Sequence, residues 1–143
     1  MKFNLASAKA AAEKGQLQDW ALDYISSGDW ANMPLFGGLQ LVKRYWVGPV
    51  ALPLADMKRV AGPEPDMPYP QDRQDWERRV TVITSTLSDI NDLPPLILEI
   101  NEGIIRLADG SHRHEALRRL GHTTCWCIIW YNDQAEYEAS PYL

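Results

Sequence analysis

Apolar positions along the chain repeat with two different periods, and these periods separate helices from strands. From about residue 5 to residue 25 the apolar residues recur every three or four positions until Gly28 ends the run, which predicts one or two helices. A weaker pattern of the same period extends the helical region to about residue 46, despite two glycines that lower helix propensity. An amphipathic helix is predicted over 72–88, with one apolar face formed by Trp76, Val80, Ile83 and Leu87.

Four other stretches have the composition of β-strands. Residues 47–54 are apolar but contain prolines, which cannot donate to a central ladder, so a short strand near a sheet edge is predicted. Residues 96–100 and 104–108 flank a turn-prone Asn-Glu-Gly sequence and predict a β-hairpin. Residues 123–131 predict a strand that is buried on both faces. One face of it carries Trp126, Ile128 and Trp130, and the other carries Cys125, Cys127 and Ile129.

The segments between these elements complete the outline of the fold. Residues 55–60 suit a single helical turn, and four prolines within 62–70 predict a stiff loop without regular structure. Residues 112–120 predict a helix that ends at Gly121, and the tail after Asn132 is polar. We therefore expect an α+β protein, with a helical extension at residues 1–46 and the main domain at residues 47–143.

Composition narrows the function classes. The 143 residues are 45% hydrophobic and carry a formal net charge of -5, which fits one domain and disfavours DNA as a partner except through a local contact. The two cysteines, two positions apart, exclude a disulfide framework and fit a reducing compartment. No apolar run reaches membrane-spanning length, so we expect a cytoplasmic protein without a membrane partner. The sequence does not indicate an oligomeric state.

The strand, tight turn and helix from Leu107 to Gly121 carry the clearest chemical signal. The amides at the start of a helix favour an anion, Gly110 allows close approach to the backbone, and His112 and Arg113 can add charge-assisted bonds. Four arginines face only two acids between residues 106 and 121, so a phosphate is the natural ligand. The competing interpretation is an ordinary helix start, with Asp109 or Ser111 as the cap and solvated arginines.

At these residues the sequence resembles the ParB/sulfiredoxin superfamily, whose members carry an Asp-Gly-x-His-Arg type of turn between a strand and a helix. The sequence Asp109-Gly110-Ser111-His112-Arg113 matches this form, and Pro94-Pro95 followed by an apolar strand matches the segment before it. The resemblance covers roughly residues 47–131. It implies a small mixed sheet flanked by helices, with the first 46 residues outside it.

The branches of this superfamily differ in activity. Sulfiredoxins need a catalytic cysteine at the position of Ser111, so the resemblance disfavours that reaction here. ParB partition proteins bind CTP and add a helix-turn-helix domain, whereas this sequence ends soon after its last predicted strand. The free serine kinases place a catalytic glutamate in the loop that here contains Glu64, although this sequence departs from their turn at Ser111.

The resemblance to the kinases implies a set of roles. The turn from Gly110 to His114 would bind the phosphates of ATP or ADP, with CTP possible, and Asp109 would contact Mg²⁺. Glu64 would act as base on a small hydroxylated metabolite, with His112 beside the phosphate. An equally supported interpretation is that Glu64 is a solvated acid of the loop, and Asp66 could take the role of base in its place. Tyr69 could stack on a base or line a substrate pocket.

Other interpretations stay open. The predicted function is a nucleotide-dependent phosphotransferase, that is, a small-molecule kinase, or an NTPase. The alternative is a non-catalytic nucleotide-sensing or DNA-associated module, and nuclease activity ranks third. A zinc site has unsuitable spacing, and core packing explains the cysteines better; its candidate ligands are His112, His114, His122, Cys125 and Cys127. Trp76 is expected to anchor its helix, and Arg78 and Arg79 to form a solvated face that could extend the basic rim.

Overall fold

The computed structural model describes residues 2–143 as an α+β fold. Its helices are α1 Leu5–Glu13, α2 Leu17–Ile25, α3 Met33–Leu39, α4 Arg73–Thr86, α5 Ser111–Arg119 and α6 Gln134–Glu138. Its strands are β1 Tyr45–Pro53, β2 Lys58–Arg59, β3 Ala61–Gly62, β4 Tyr69–Pro70, β5 Leu96–Asn101, β6 Ile104–Asp109 and β7 Thr124–Tyr131. Short 3-10 turns lie at Leu54–Asp56 and Ile90–Asp92. Within this described part of the chain, no helix is long and apolar enough to cross a bilayer.

The main sheet has five strands in the order β1-β7-β5-β6-β2. The central pair β5 and β7 is parallel, whereas β1 pairs with β7 and β6 pairs with β5 in antiparallel fashion. Strand β2 adds two residues parallel to β6 at the far edge. The expected mixed sheet flanked by helices is therefore confirmed, as is the edge position of β1, whose prolines would interrupt an interior ladder.

Each face of the sheet is covered by a helical layer. Cys125, Cys127 and Ile129 of β7 lie in the core that Leu117 of α5 joins, which confirms the predicted division of this strand. The opposite face contains Ile128 and Trp130 of β7 with Ile97 of β5, and it packs against α1, α2 and α3 through Ala8, Leu17, Trp20, Ala21, Ile25 and Leu39. The amino-terminal helices thus share a core with the sheet.

The prediction of helix up to residue 46 is wrong in its last part. Helix α3 ends at Leu39, and β1 already begins at Tyr45. Trp46 is a strand residue opposite Trp130, with the two ring centroids 5.9 Å apart. Pairing with β7 and burial of this aromatic pair outweigh a helical pattern already weakened by two glycines.

The prediction of a loop without regular structure at residues 62–70 is wrong at its two ends. Strands β3 and β4 form a short parallel pair, because the residues beside the prolines supply the donors: Tyr69 donates to the carbonyl of Val60 at 2.9 Å, and Gln71 to that of Gly62 at 2.8 Å. The predicted helical turn at 55–60 is limited to a 3-10 turn at Leu54–Asp56, followed directly by β2.

The hairpin β5–β6 forms as predicted, and the polar tail stabilises it. Glu102 and Gly103 both have positive φ angles, 52° and 77°, which suits the two-residue turn of a twisted hairpin. The carboxylate of Glu136 in α6 accepts hydrogen bonds from both of their amides, at 3.1 and 2.9 Å. The segment after Asn132 is therefore an ordered helix that holds the hairpin turn.

Candidate functional site

Helix α5 begins directly after β6 in a turn that only glycine fits. Gly110 has φ +115°, and a Cβ atom there would lie 2.8 Å from Nη2 of Arg113 and 2.9 Å from Cγ of Leu96. Gly110 is itself the residue before the helix, so no side chain caps α5, in contrast to the alternative in which Asp109 or Ser111 did so. The first amides of α5 consequently have no side-chain acceptor within residues 2–143.

Asp109 and Arg113 form a buried pair that anchors this turn. The Arg113 side chain is only 8% exposed; its Nη1 donates to the carbonyls of Pro94 and Pro95 at 2.6 and 2.8 Å, and its Nη2 donates to Asp109 at 3.0 Å. The other carboxylate oxygen of Asp109 accepts a bond from Asn32 at 3.4 Å. Most of the Arg113 donors are thus used within the protein, which gives this residue a structural task beside any contact with phosphate.

The remaining arginines of the 106–121 segment are also paired. Arg106 contacts Glu99, Arg118 contacts Glu115, and Arg119 bridges Glu115 and Glu77 of α4. The hydrogen bond from Arg118, opposed by burial and reinforced by Arg119, holds the pKa of Glu115 at about 2. The basic excess counted in the sequence is therefore balanced by carboxylates, one of which lies on another helix.

The positive charge beside the turn comes instead from two arginines outside the segment. The guanidinium carbon of Arg59, at the end of β2, lies 4.8 Å from the ring centroid of Trp76. The ring centroids of Trp76 and His112 are 4.6 Å apart. Burial, followed by the charges of Arg79, Arg113 and Arg59, lowers the pKa of His112 to about 4. Arg59, Glu64, Trp76, Arg79 and His112 are called the arginine cluster below.

Three polar atoms of this cluster are buried without a hydrogen-bond partner: Oε2 of Glu64, Nε of Arg79 and Nε2 of His112. They are three of the five such atoms found in residues 2–143, so the deficit is concentrated at one place. Glu64 forms an ion pair with Arg59 through its other oxygen. Burial acts to raise the pKa of Glu64, but the hydrogen bond and charge of Arg59 outweigh it, so the pKa is lowered and the carboxylate is ionised.

Other residues proposed from the sequence have different surroundings. Ser111 is only 7% exposed, at the first position of α5. His114 donates from Nε2 to the carbonyl of Leu54 at 2.9 Å, which ties α5 to the preceding 3-10 turn. Asp66 and Tyr69 are exposed, and the side-chain hydrogen bond of Glu64 goes to Arg59 and not to either of them. Their proposed roles in a substrate pocket stay predictions.

The donor sets fit neither a resident Mg²⁺ nor zinc. Asp109 is already paired with Arg113, and the part of the chain that is described contains no cluster of three or more potential metal ligands. Cys125 and Cys127 lie in the apolar core with their sulfur atoms 3.5 Å apart. Core packing therefore accounts for the two thiols.

The sequence did not point to Arg59 or Trp30, and it predicted for Arg79 a solvated face that could extend the basic rim. The guanidinium of Arg79 lies 4.8 Å over the ring of Trp30, which comes from the connection between α2 and α3. The four elements that meet here, the α2–α3 connection, β2, α4 and α5, are distant in the chain, so no local pattern signals their contact. The one available hint was the amphipathic spacing that puts Trp76 and Arg79 on adjoining parts of α4.

Because the pKa of His112 is lowered, we expect the free energy of unfolding to decrease at acidic pH. The folded protein keeps His112 neutral down to about pH 4, whereas the unfolded chain protonates it near its ordinary pKa of 6.5. Protonation of His112 therefore favours the unfolded chain. The contribution of neutral His112 to the free energy of unfolding is complete above pH 6.5 and is lost as the pH falls towards 4. After a discount for partial exposure, wild type should lose about 1 kcal/mol more than His112→Gln between pH 7 and 5.

Urea denaturation at these two pH values measures this difference. His114, whose pKa burial also lowers, contributes in the same direction in both proteins and so cancels from the comparison. Equal losses in wild type and His112→Gln would show that His112 is not held neutral.

No protein-family model matches the chain, and a search of curated proteins finds no match. Solved structures that match include free serine kinase in complex with AMP, with 20% identity over 56% of this chain and 30% of that chain, at a TM-score of 0.38. Sulfiredoxin from Arabidopsis thaliana matches with 24% identity over 63% of this chain and 92% of its own, at 0.40. C-terminally truncated ParB from Caulobacter crescentus, complexed with CTP-gamma-S, matches with 19% identity over 67% and 48%, at 0.39.

All three identities lie below 25%, and all three TM-scores lie below 0.5. Identities of this size carry no conclusion about the activity of this chain. The matches span less than half of the free serine kinase and ParB chains, so the functions of those whole proteins do not transfer to this chain.

Proposed function

We propose that this chain binds the phosphate groups of a nucleotide at the amino end of α5, against the arginine cluster. The observation that carries the proposal is the convergence there of two guanidinium groups with three buried polar atoms that lack partners. One of these atoms, Nε of Arg79, is a donor, and Arg79 forms no ion pair with any residue in 2–143. A phosphate would supply a negative charge for Arg79 and an acceptor for its Nε.

The local backbone supports the same ligand. The uncapped first amides of α5 present hydrogen-bond donors and the positive end of the helix dipole. The hydroxyl of Ser111 adds a donor at the first helical position. A neutral His112 can donate or accept one bond without adding charge, so the positive charge at this site belongs to Arg59 and Arg79 rather than to a histidinium.

Within this proposal, the chain is a nucleotide-dependent phosphotransferase or an NTPase that uses ATP, ADP or CTP. Oε2 of Glu64 is free to accept a hydrogen bond from the hydroxyl of a small metabolite or from water. The hydroxyl oxygen would bond to the terminal phosphorus as the bond to the leaving phosphate oxygen breaks, and its proton would pass to Glu64. Glu64 suits this role better than the exposed Asp66, since only Glu64 lies in the arginine cluster.

One observation favours a non-catalytic alternative. The lowered pKa of Glu64 makes its carboxylate a weak base, which is what a nucleotide sensor without turnover would tolerate. A DNA-associated module is less favoured, because the net charge is -5 and the arginines of the 106–121 segment are paired with acids. Turnover of ATP or CTP by the wild-type protein separates the catalytic proposal from the sensing alternative.

Calorimetry with tripolyphosphate, ATP and CTP tests phosphate binding. Arg79→Gln should weaken the binding of tripolyphosphate by about tenfold or more, because it removes a charged donor from the site. Arg78→Gln is the matched control: Arg78 is the adjacent residue of α4, its side chain is 70% exposed, and it pairs with Asp75. The proposal is abandoned if wild type binds none of these ligands, or if the two variants bind tripolyphosphate equally well.

A further inference from the structure

A cavity of about 360 Å³ lies beside the turn, between the end of α2, the α2–α3 connection and Asp109. We infer that this cavity holds the base of the bound nucleotide, and that it selects a base with an exocyclic amino group. This inference rests on the proposed phosphate site and extends it to the other end of the ligand. The volume lies within the range of small-molecule sites, about 300–1,000 Å³.

The cavity adjoins the arginine cluster through two residues. Asp109 lines the cavity and directly precedes Gly110, where the uncapped start of α5 lies. Trp30 also lines the cavity, and the guanidinium of Arg79 lies over its ring. A ligand with phosphates at Arg79 and a planar group at Trp30 would therefore occupy one continuous site.

Trp30 is suited to stacking. Its side chain is large and apolar, yet the residue is 53% exposed. One face of the indole is covered by Arg79, which leaves ring surface for a second planar group. Aromatic side chains bind nucleic acid bases in this way, since every base presents a π-face.

The polar side chains of the cavity are mostly acceptors. Asp29 carries a carboxylate that forms no ion pair within the described residues, and Asp109 presents the oxygen that only a long bond from Asn32 engages. The hydroxyl of Ser27 donates its hydrogen to the carbonyl of Tyr24, at 2.8 Å. The hydroxyl of Tyr24, which also lines the cavity, can donate or accept, whereas the two carboxylates can only accept, so a base with an amino group suits them. Adenine and cytosine carry an amino group on their pairing edge, whereas uracil presents a carbonyl oxygen at the position equivalent to the cytosine amine.

The wall that contains Trp30 is held in place before any ligand binds. The amide of Asn32 donates to the carbonyl of Ile25 at 2.8 Å and closes the connection between the two helices. The side chain of Asn32 accepts a bond from Leu35 at the start of α3 and donates to Asp109. The α2–α3 connection, outside the resemblance to known proteins, is thereby fixed to the turn.

Affinities for CTP, UTP, cytidine and tripolyphosphate test the inference, because CTP and UTP differ only at the 4-position, where cytosine carries the amino group and uracil a carbonyl oxygen, and at the adjacent N3, which accepts in cytosine and donates in uracil. Wild type should bind CTP about tenfold more tightly than UTP. Trp30→Ala should weaken CTP by about tenfold and leave tripolyphosphate unchanged, and Trp30→Phe should retain most of the CTP affinity. Leu41→Ala, an exposed apolar residue of the next connection, is the control and should change nothing.

The outcomes separate this inference from the phosphate proposal. Equal affinities for CTP and UTP, or a Trp30→Ala protein that loses tripolyphosphate as strongly as CTP, would overturn the base site. Binding of tripolyphosphate with no gain for CTP would overturn it too and leave the phosphate site standing. Binding of cytidine that depends on Trp30, without binding of tripolyphosphate, would support the base site and refute the phosphate site.

Discussion

Replacing Arg113 with alanine is expected to lower the free energy of unfolding by about 3–5 kcal/mol, the usual cost of removing one partner of a buried ion pair. The substitution would leave the carboxylate of Asp109, whose side chain is only 20% exposed, without its guanidinium. It would also leave the carbonyls of Pro94 and Pro95 without the donor that now satisfies both. Urea denaturation followed by far-UV circular dichroism measures the loss.

Arg118→Ala is the matched control for this substitution. Arg118 lies on the same helix and also pairs with a carboxylate, but its side chain is largely exposed, so its loss should cost less than about 1 kcal/mol. Similar losses in the two variants would contradict a structural role for Arg113. The expected instability also means that a failure of an Arg113 variant to bind nucleotide does not by itself identify a phosphate ligand.

Gly110→Ala is expected to destabilise the protein by about 2–4 kcal/mol, from backbone strain and from overpacking together. Gly110 has φ +115°, a conformation that alanine adopts at a cost, and the added methyl group would meet the Arg113 guanidinium and the Leu96 side chain. Both neighbours are held in place by other contacts, so neither can move away freely. Thermal unfolding in parallel with wild type measures the effect.

Gly121→Ala separates the two causes. Gly121 ends α5 with φ +86°, but a Cβ atom there would have no heavy atom within 4 Å. Its substitution should therefore show the strain alone, about 1 kcal/mol. If Gly110→Ala cost no more than Gly121→Ala, the close packing of the turn against Arg113 and Leu96 would be disproved.

The elements that could be predicted from the sequence are those whose signals are local. The hairpin follows from two apolar runs around a Glu-Gly turn, and α5 ends at Gly121, where the amide of His122 bonds back to the carbonyl of Leu117. The division of β7 into two buried faces follows from strict alternation. The helix predicted up to residue 46 was wrong at Tyr45 and Trp46, because the strand that begins there depends on pairing with β7, more than eighty positions later.

The candidate site was predictable only in part, for the same reason. The turn at Gly110 is visible in the sequence, since its glycine and its position before a helix are local features. The sequence does not reveal which acids pair with the arginines of α5, because Arg119 pairs with Glu77 on another helix. Equally, the sequence does not reveal that Arg79 stacks on Trp30, because that contact requires the amino-terminal helices to cover the sheet.

The layering of the fold also constrains how it forms during synthesis. Helices α1 and α2 are made before the sheet, yet much of the surface they cover consists of Ile97, Ile128 and Trp130, on the later strands β5 and β7. Trp20 and Ile25 consequently lack part of their native core until β7 has emerged. Contacts this distant in sequence form slowly, so the nascent chain must carry an uncovered apolar face until the parallel pair β5–β7 closes beneath it.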